Sequence, residues 1–150
     1  MLFRSLGAAW PGAFNKPLAE ALMANIRTLG MPVWSADDQA LAHGAQKMMK
    51  SAVVGLPTKV GDLGQGTSAG NAGSDDIAEV SWNVPTVVLR YPGNIPGMIG
   101  HHWSSGISMA TPIAHKGATV GAKAQAMTIL DLLTKPELLA SCKADRKSVV

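Results

Sequence analysis

The residues of this 150-residue sequence with chemistry beyond packing are four histidines, one cysteine and a pair of adjacent aspartates. His115 stands in the run IAHKG, where an irregular segment, residues 107–112, meets a long apolar stretch. An imidazole at the start of a rigid helix is fixed in place, as a metal ligand must be, and its second ring nitrogen can be oriented by a carbonyl or carboxylate. A histidine at a helix start serves equally well as a structural residue, and the residues by themselves leave both roles open. His101 and His102 follow a Gly-rich loop and precede Trp103, an imidazole and indole arrangement suited either to lining a pocket or to ordinary loop polarity. His43 falls near the polar face of a helical pattern, which suits a solvated or capping role. Asp75 and Asp76 are neighbours, so their side chains diverge and at most one points into a site; Ser-Asp-Asp after Gly is also a good turn or cap sequence.

Partners for these groups are missing from the sequence. There is no His-x-Asp, no Glu-Glu pair and no second histidine at ligand spacing upstream of His115, so a complete metal site is not encoded. No Gly-x-Ser-x-Gly elbow is present, and Cys142 sits in a terminal helical pattern with no histidine nearby. One cysteine makes no internal disulfide and no Cys-x-x-Cys motif, which fits a reducing, cytoplasmic setting.

The elements that must position these groups follow from periodicity. Asn15 as cap, Pro17 in the first turn and the stripe Leu18, Leu22, Ile26 and Leu29 predict a helix that stops at Gly30. Ser35 with Asp38 forms a capping-box pattern opening a second helix, its apolar face predicted at Leu41, Ala45, Met48 and Met49. Residues 55–73 hold six glycines and read as a long loop, a kind of segment that is often functional inside compact domains. Residues 79–82 and 86–91, rich in Val, Trp and Tyr around a Pro-marked break, predict two short extended segments. Residues 92–100 read as a second loop. A long helix is predicted over residues 114–133, with Val120, Ala124, Met127, Leu130 and Leu133 on one side. A short last helix follows, with Thr134 and Glu137 as its capping pair and Pro136 in its first turn. Helices flanking a few strands predict an α/β layered domain, helices packed on a small sheet.

Composition narrows the function classes. The chain is 47% hydrophobic, with a mean hydropathy of +0.14, enough for one compact core. Only 15% of residues are charged, against roughly 25% in an ordinary soluble domain, so part of the surface is expected to be covered by something else. The net charge of +3 comes from scattered lysines and arginines, clustered only at residues 143–147, and aromatic residues make up 5%. No basic and aromatic surface of the kind that binds nucleic acid emerges. Neither a signal peptide nor an uninterrupted apolar run of about 20 residues is found, since Lys123 and Asp131 break the most apolar helix.

Several ordered segments resemble a known family. They are NKPLAEALMANIRTLGMPVWSADDQALA (residues 15–42), GSDDIAEVSWNVPT (73–86), GHHW (100–103), IAHKG (113–117) with an Ala-rich helix behind it, and LLTKPELL (132–139). Together they resemble the C-terminal part of amidohydrolases of the p-aminobenzoyl-glutamate hydrolase type, in the aminoacylase and glutamate carboxypeptidase group of dinuclear zinc metallopeptidases. The resemblance implies a layered α/β catalytic domain interrupted by a lid domain. Residues 1–14 would then be the connector from that lid and residues 15–150 the C-terminal part of the catalytic domain. It implies that His115 is a zinc ligand and that His101 and Asp76 contact substrate. The implied substrate is an N-acyl or aminobenzoyl amino acid such as p-aminobenzoyl-glutamate, hydrolysed at its amide. Zinc, or another divalent metal, would be held only with ligands from outside this chain, which would be inactive by itself. Asp75 stands where the family has threonine, Glu79 where aspartate is common and His102 where serine is commoner. The alternative implied reading is non-catalytic: a truncated product or small subunit that docks on a partner chain or assembles with copies of itself.

Overall fold

The computed structural model describes residues 12–63 and 76–147. Its elements are six helices, α1 (Lys16–Leu29), α2 (Ala36–Met48), α3 (Asp76–Asn83), α4 (Trp103–Met109), α5 (Pro112–Thr134) and α6 (Pro136–Lys147). No strand occurs among the described residues, which overturns the expected α/β layered domain with its small sheet. Residues 79–82, expected to be extended, belong to α3. Their β-branched and aromatic content suggested a strand, but Ala78 and Ser81, three apart, are the buried pair, and this is helical spacing. Asn83 closes the helix by donating from Nδ2 to the Glu79 carbonyl at 2.8 Å. Residues 86–91 find no ladder; Thr86 accepts one backbone bond, from Asn15 N at 2.9 Å. A strand requires a ladder along its length, and none forms here among the described residues.

Cα packing divides the chain into two compact units, one comprising Met1–Met23, Asp62–Val88 and Ile129–Val150, the other Ala24–Gly61 and Leu89–Thr128. The connector expected over residues 1–14, up to Pro11, and most of the Gly-rich loop, residues 64–73, lie outside the described residues.

In the first unit a buried asparagine organises the packing. Asn15 caps α1 by accepting from Leu18 N at 3.1 Å. Its Nδ2 donates to the Cys142 carbonyl at 2.9 Å and to Asp145 Oδ2 at 3.0 Å, so one side chain joins the start of α1 to α6. Leu18, Leu22, Ala78 and Cys142 form the apolar interior, and Ser81 Oγ accepts from Ala13 N at 2.8 Å. Burial raises the Cys142 thiol above its ordinary range, with Asp145 adding to the effect. Pro136 does stand at the first turn of α6, but Thr134 ends α5 and turns back to the Leu130 carbonyl, so it does not cap α6.

In the second unit the core is Ala42, Leu56, Ile95 and Ile113, with Trp34, Ala45 and Met98 packed against it. Ile113 is fully buried, which contributes on the order of 2 kcal/mol. The expected capping box of α2 is present: Ser35 Oγ accepts from Asp38 N at 3.1 Å and Asp38 Oδ2 from Ser35 N at 2.7 Å. The expected apolar face is only partly the buried one: Ala45 packs against the core and Met49 is half-buried, but the helix turns its centre elsewhere. Asp38, Ala42 and Gln46 are buried, while Leu41 and Met48 are 43% and 65% exposed.

Two glutamines of α2 explain this inversion. Gln39 accepts from Leu56 N at 2.8 Å and donates to Leu56 O at 3.1 Å. Gln46 accepts from Gly55 N at 2.9 Å and donates to the carbonyls of Gly55 and Pro96, each at 3.2 Å. Carboxamides thus satisfy the backbone of residues 55–56 as a neighbouring strand would, because each amide offers one acceptor and two donors. On α5 the buried face runs through Ile113, Gly117, Gly121 and Ala124, so small residues let segment 91–93 lie close against the helix. A Cβ on Gly117 would collide with the Pro92 carbonyl, and one on Gly121 would meet the Tyr91 ring at 2.8 Å.

Candidate functional site

The residues singled out by sequence are carried by different elements. Asp76 opens α3 in the first unit, and its side chain, like the whole of Asp75, lies outside the described residues. His101 and His115 belong to the second unit.

His115 occupies the first turn of α5, which begins at Pro112, two residues before the predicted start. Its backbone N–H bonds back to Thr111 O at 3.3 Å and its carbonyl accepts from Thr119 Oγ1 at 2.8 Å. The neighbours on either side face inward. Ala114 is buried, and Lys116 forms an ion pair with Asp38 of the α2 capping box. That ammonium, reinforced by the Ser35 backbone bond, holds the Asp38 carboxyl below the usual carboxylate range. The first turn of α5 is therefore locked to the start of α2, and the imidazole of His115 projects from this anchored turn into solvent. Such a side chain can donate one nitrogen to a metal or an external partner. It has no co-ligands in place, since no group of three or more His, Cys, Asp and Glu residues among the described residues is arranged to hold a metal ion. The described residues do not by themselves fit a zinc ion.

His101 precedes α4 with a positive φ of 55°, a left-handed conformation uncommon outside glycine. It is exposed. His102 caps α4: Nδ1 accepts from Ser104 N at 3.3 Å and lies 2.9 Å from Ser104 Oγ. Its ring stands 5.0 Å from that of Trp103, tilted by 41°. His43 is half-buried on α2, and a side chain at Gly55 would run into its Nε2.

Three serines of α4 fix the loop before it. Ser108 Oγ accepts from Ile95 N at 2.8 Å, Ser104 Oγ from Ile99 N at 3.4 Å, and Ser105 Oγ donates to Ile99 O at 2.7 Å. Between α2 and α4 an open apolar groove of about 410 Å3 remains, walled by Leu41, Met48, Met98, Trp103 and Ile107. Sequence reasoning missed Gln39, Gln46, the Lys116–Asp38 pair and the groove. The spacing of Gln39 and Gln46, seven apart and hence on one helix face, was the available signal for the first two.

Against known proteins, the chain is 24% identical to a p-aminobenzoyl-glutamate hydrolase subunit of Escherichia coli (strain K12) over 159 aligned residues, which take in 90% of this chain. The alignment spans 33% of that relative, so the chain corresponds to about a third of its length. This identity supports a distant relationship. No family model matches the chain, and no solved structure matches it. No helix among the described residues is long and apolar enough to cross a membrane.

Proposed function

We propose that this chain supplies the C-terminal part of a metal-dependent amidohydrolase acting on N-acyl or aminobenzoyl amino acids such as p-aminobenzoyl-glutamate, and that it is inactive by itself. The observation carrying this reading is the similarity to a hydrolase subunit along nine-tenths of the chain. In this reading His115 contributes one ligand to zinc or another divalent metal, and every other ligand comes from outside the chain. The anchoring of α5 through Lys116 and Asp38 supports the assignment, because it fixes the His115 backbone while leaving the ring accessible. His101 and Asp76 are proposed as substrate contacts, and a cytoplasmic setting goes with the single free cysteine. No catalytic step is assigned to residues of this chain.

The test is a chimera in which the aligned third of the Escherichia coli protein is replaced by this chain. Hydrolysis of p-aminobenzoyl-glutamate is expected, with a loss of at least ~100-fold on His115→Ala, the scale expected for removing a metal ligand. A folded but inactive chimera, or one indifferent to His115→Ala, would count against the reading. Turnover by the isolated chain would overturn its proposed incompleteness.

A second reading, a non-catalytic subunit docking on another chain, is favoured by the exposed apolar side chains and low charged fraction. Its test is reconstitution: a partner whose hydrolysis changes on adding this chain, equally with the His115→Ala variant, would select it over the first.

A further inference from the structure

We infer that the outer face of α5, along the line from His115 to Leu133, is the surface against which the polypeptide completing the His115 site packs. The inference rests on the hydrolase reading and gives it a surface. His115, Ala118, Ala122, Ala126, Ile129 and Leu133 follow one another three or four residues apart, so they form one line about 27 Å long on a single helix. All six are exposed, Ile129 by 50% and Leu133 by 76%. The residues that α5 buries within the chain, Ile113, Gly117, Gly121, Ala124 and Thr128, occupy the opposite side of the helix.

Charge sets this line apart from an ordinary solvated face. The outer side of a surface helix normally carries its charged residues. The charged residues of α5 are Lys116, Lys123 and Asp131, and at about 100° per residue all of them fall about 80° or more round the helix from His115. Lys116 is held by Asp38, and Asp131 pairs with Lys135 at 2.6 Å. Uncharged residues therefore occupy both the inner and the outer side of α5. A helix that is apolar on both sides is ordinarily an interior helix, and here one of the two sides is uncovered.

Length and direction together identify what covers it. The alignment takes in 33% of the related hydrolase subunit, so the larger part of that protein has no counterpart in this chain. Whatever supplies the remaining groups around the His115 ring must approach from the side to which that ring projects, and this is the side of the apolar line. A strip of methyl groups over about five turns has no hollow for a small solute. It suits a packed helix or strand, whose backbone the alanines allow to come close. The occupant is therefore polypeptide equivalent to the unmatched part of the related hydrolase, lying along α5 from its first turn to its last.

The experiment places a thiol in the middle of the line, Ala126→Cys, and follows its alkylation by peptide mass spectrometry in the full isolated chain and in the chimera with the remainder of the Escherichia coli protein. The isolated chain is expected to react as a freely exposed thiol, and the chimera at least about tenfold more slowly. Equal rates in a folded chimera overturn the inference, and leave the hydrolase reading standing if that chimera hydrolyses p-aminobenzoyl-glutamate. Protection in a folded chimera that does not hydrolyse it supports the packing and counts against the hydrolase reading. Slow alkylation already in the isolated chain, whether its own residues or a second copy cover the line, overturns the inference. A second variant needs no chimera. Ala122→Glu and Ile129→Lys, carried together in the isolated chain, should move its melting temperature by no more than about 2 °C, because both positions are free there. Loss of helix content by circular dichroism in that variant means the face is already in use within the chain, and overturns the inference as well.

Discussion

Each of the two compact units is organised by one buried carboxamide, but the two amides do different jobs. Asn15 works at a helix end: it caps α1 and reaches the Cys142 carbonyl and Asp145 carboxylate of α6. Gln46 works from the middle of a helix and spends all three of its hydrogen-bonding positions on irregular backbone at Gly55 and Pro96. The first job has a partial substitute, since the Asp145 contact is only part-buried and lies near the end of α6, where water can take its place. The second has few, because the backbone it serves lies in the interior and has no strand beside it. A carboxamide inside a helix can replace a sheet, provided it is buried and fully bonded.

The sharpest way to break this contrast is Gln46→Ala. It strands one N–H and two carbonyls in the interior, and a loss of about 3 kcal/mol is expected. Urea denaturation would measure it, and hydrogen exchange should show protection falling first at Gly55 and Leu56. Asn15→Ala should cost less, about 2 kcal/mol, as the sum of a lost cap and two lost contacts. If it proves the more damaging of the two, the distinction drawn between the amides is wrong. The smallest effect concerns the ion pair that joins α2 to α5. Asp38 has a depressed pKa, so the stability it contributes is fully present above the ordinary carboxylate value of about 3.9 and is lost as pH falls through the lower folded value. Melting temperature should therefore decline below about pH 4 in the parent chain, and Asp38→Asn should flatten that part of the curve. An unchanged slope in the variant would remove Asp38 from the account.

Helix ends were legible in the sequence because their signals are local. Asn15 with Pro17, the Ser35–Asp38 box, Gly30 and Pro136 all stand at the boundaries they indicated. The interior was less legible, since burial depends on what lies across a gap. Leu41 and Met48 signalled a core face on hydropathy, yet Gln39 and Gln46 turned the helix the other way through bonds to residues up to fifty positions distant. The predicted strands failed for the same reason: residues 79–82 had helical partners of their own, and residues 86–91 form no ladder with any of the described residues. α4 went unread because Ser and Gly are weak helix formers, and its serines act through hydroxyl bonds to a loop that periodicity does not register. Of the candidate site, the position of His115 near a helix start was readable, while the inward turn of Lys116 that anchors it was not.

The serine bonds of α4 also bear on timing. A helix of seven residues is too short to persist by itself, and here its side chains hold the amides of Ile95 and Ile99. Helix and loop are thus one cooperative piece, opening and closing together. His101, set in a left-handed turn between them, inherits that rhythm: its backbone is held in that turn for as long as α4 stays wound, and released whenever α4 unwinds.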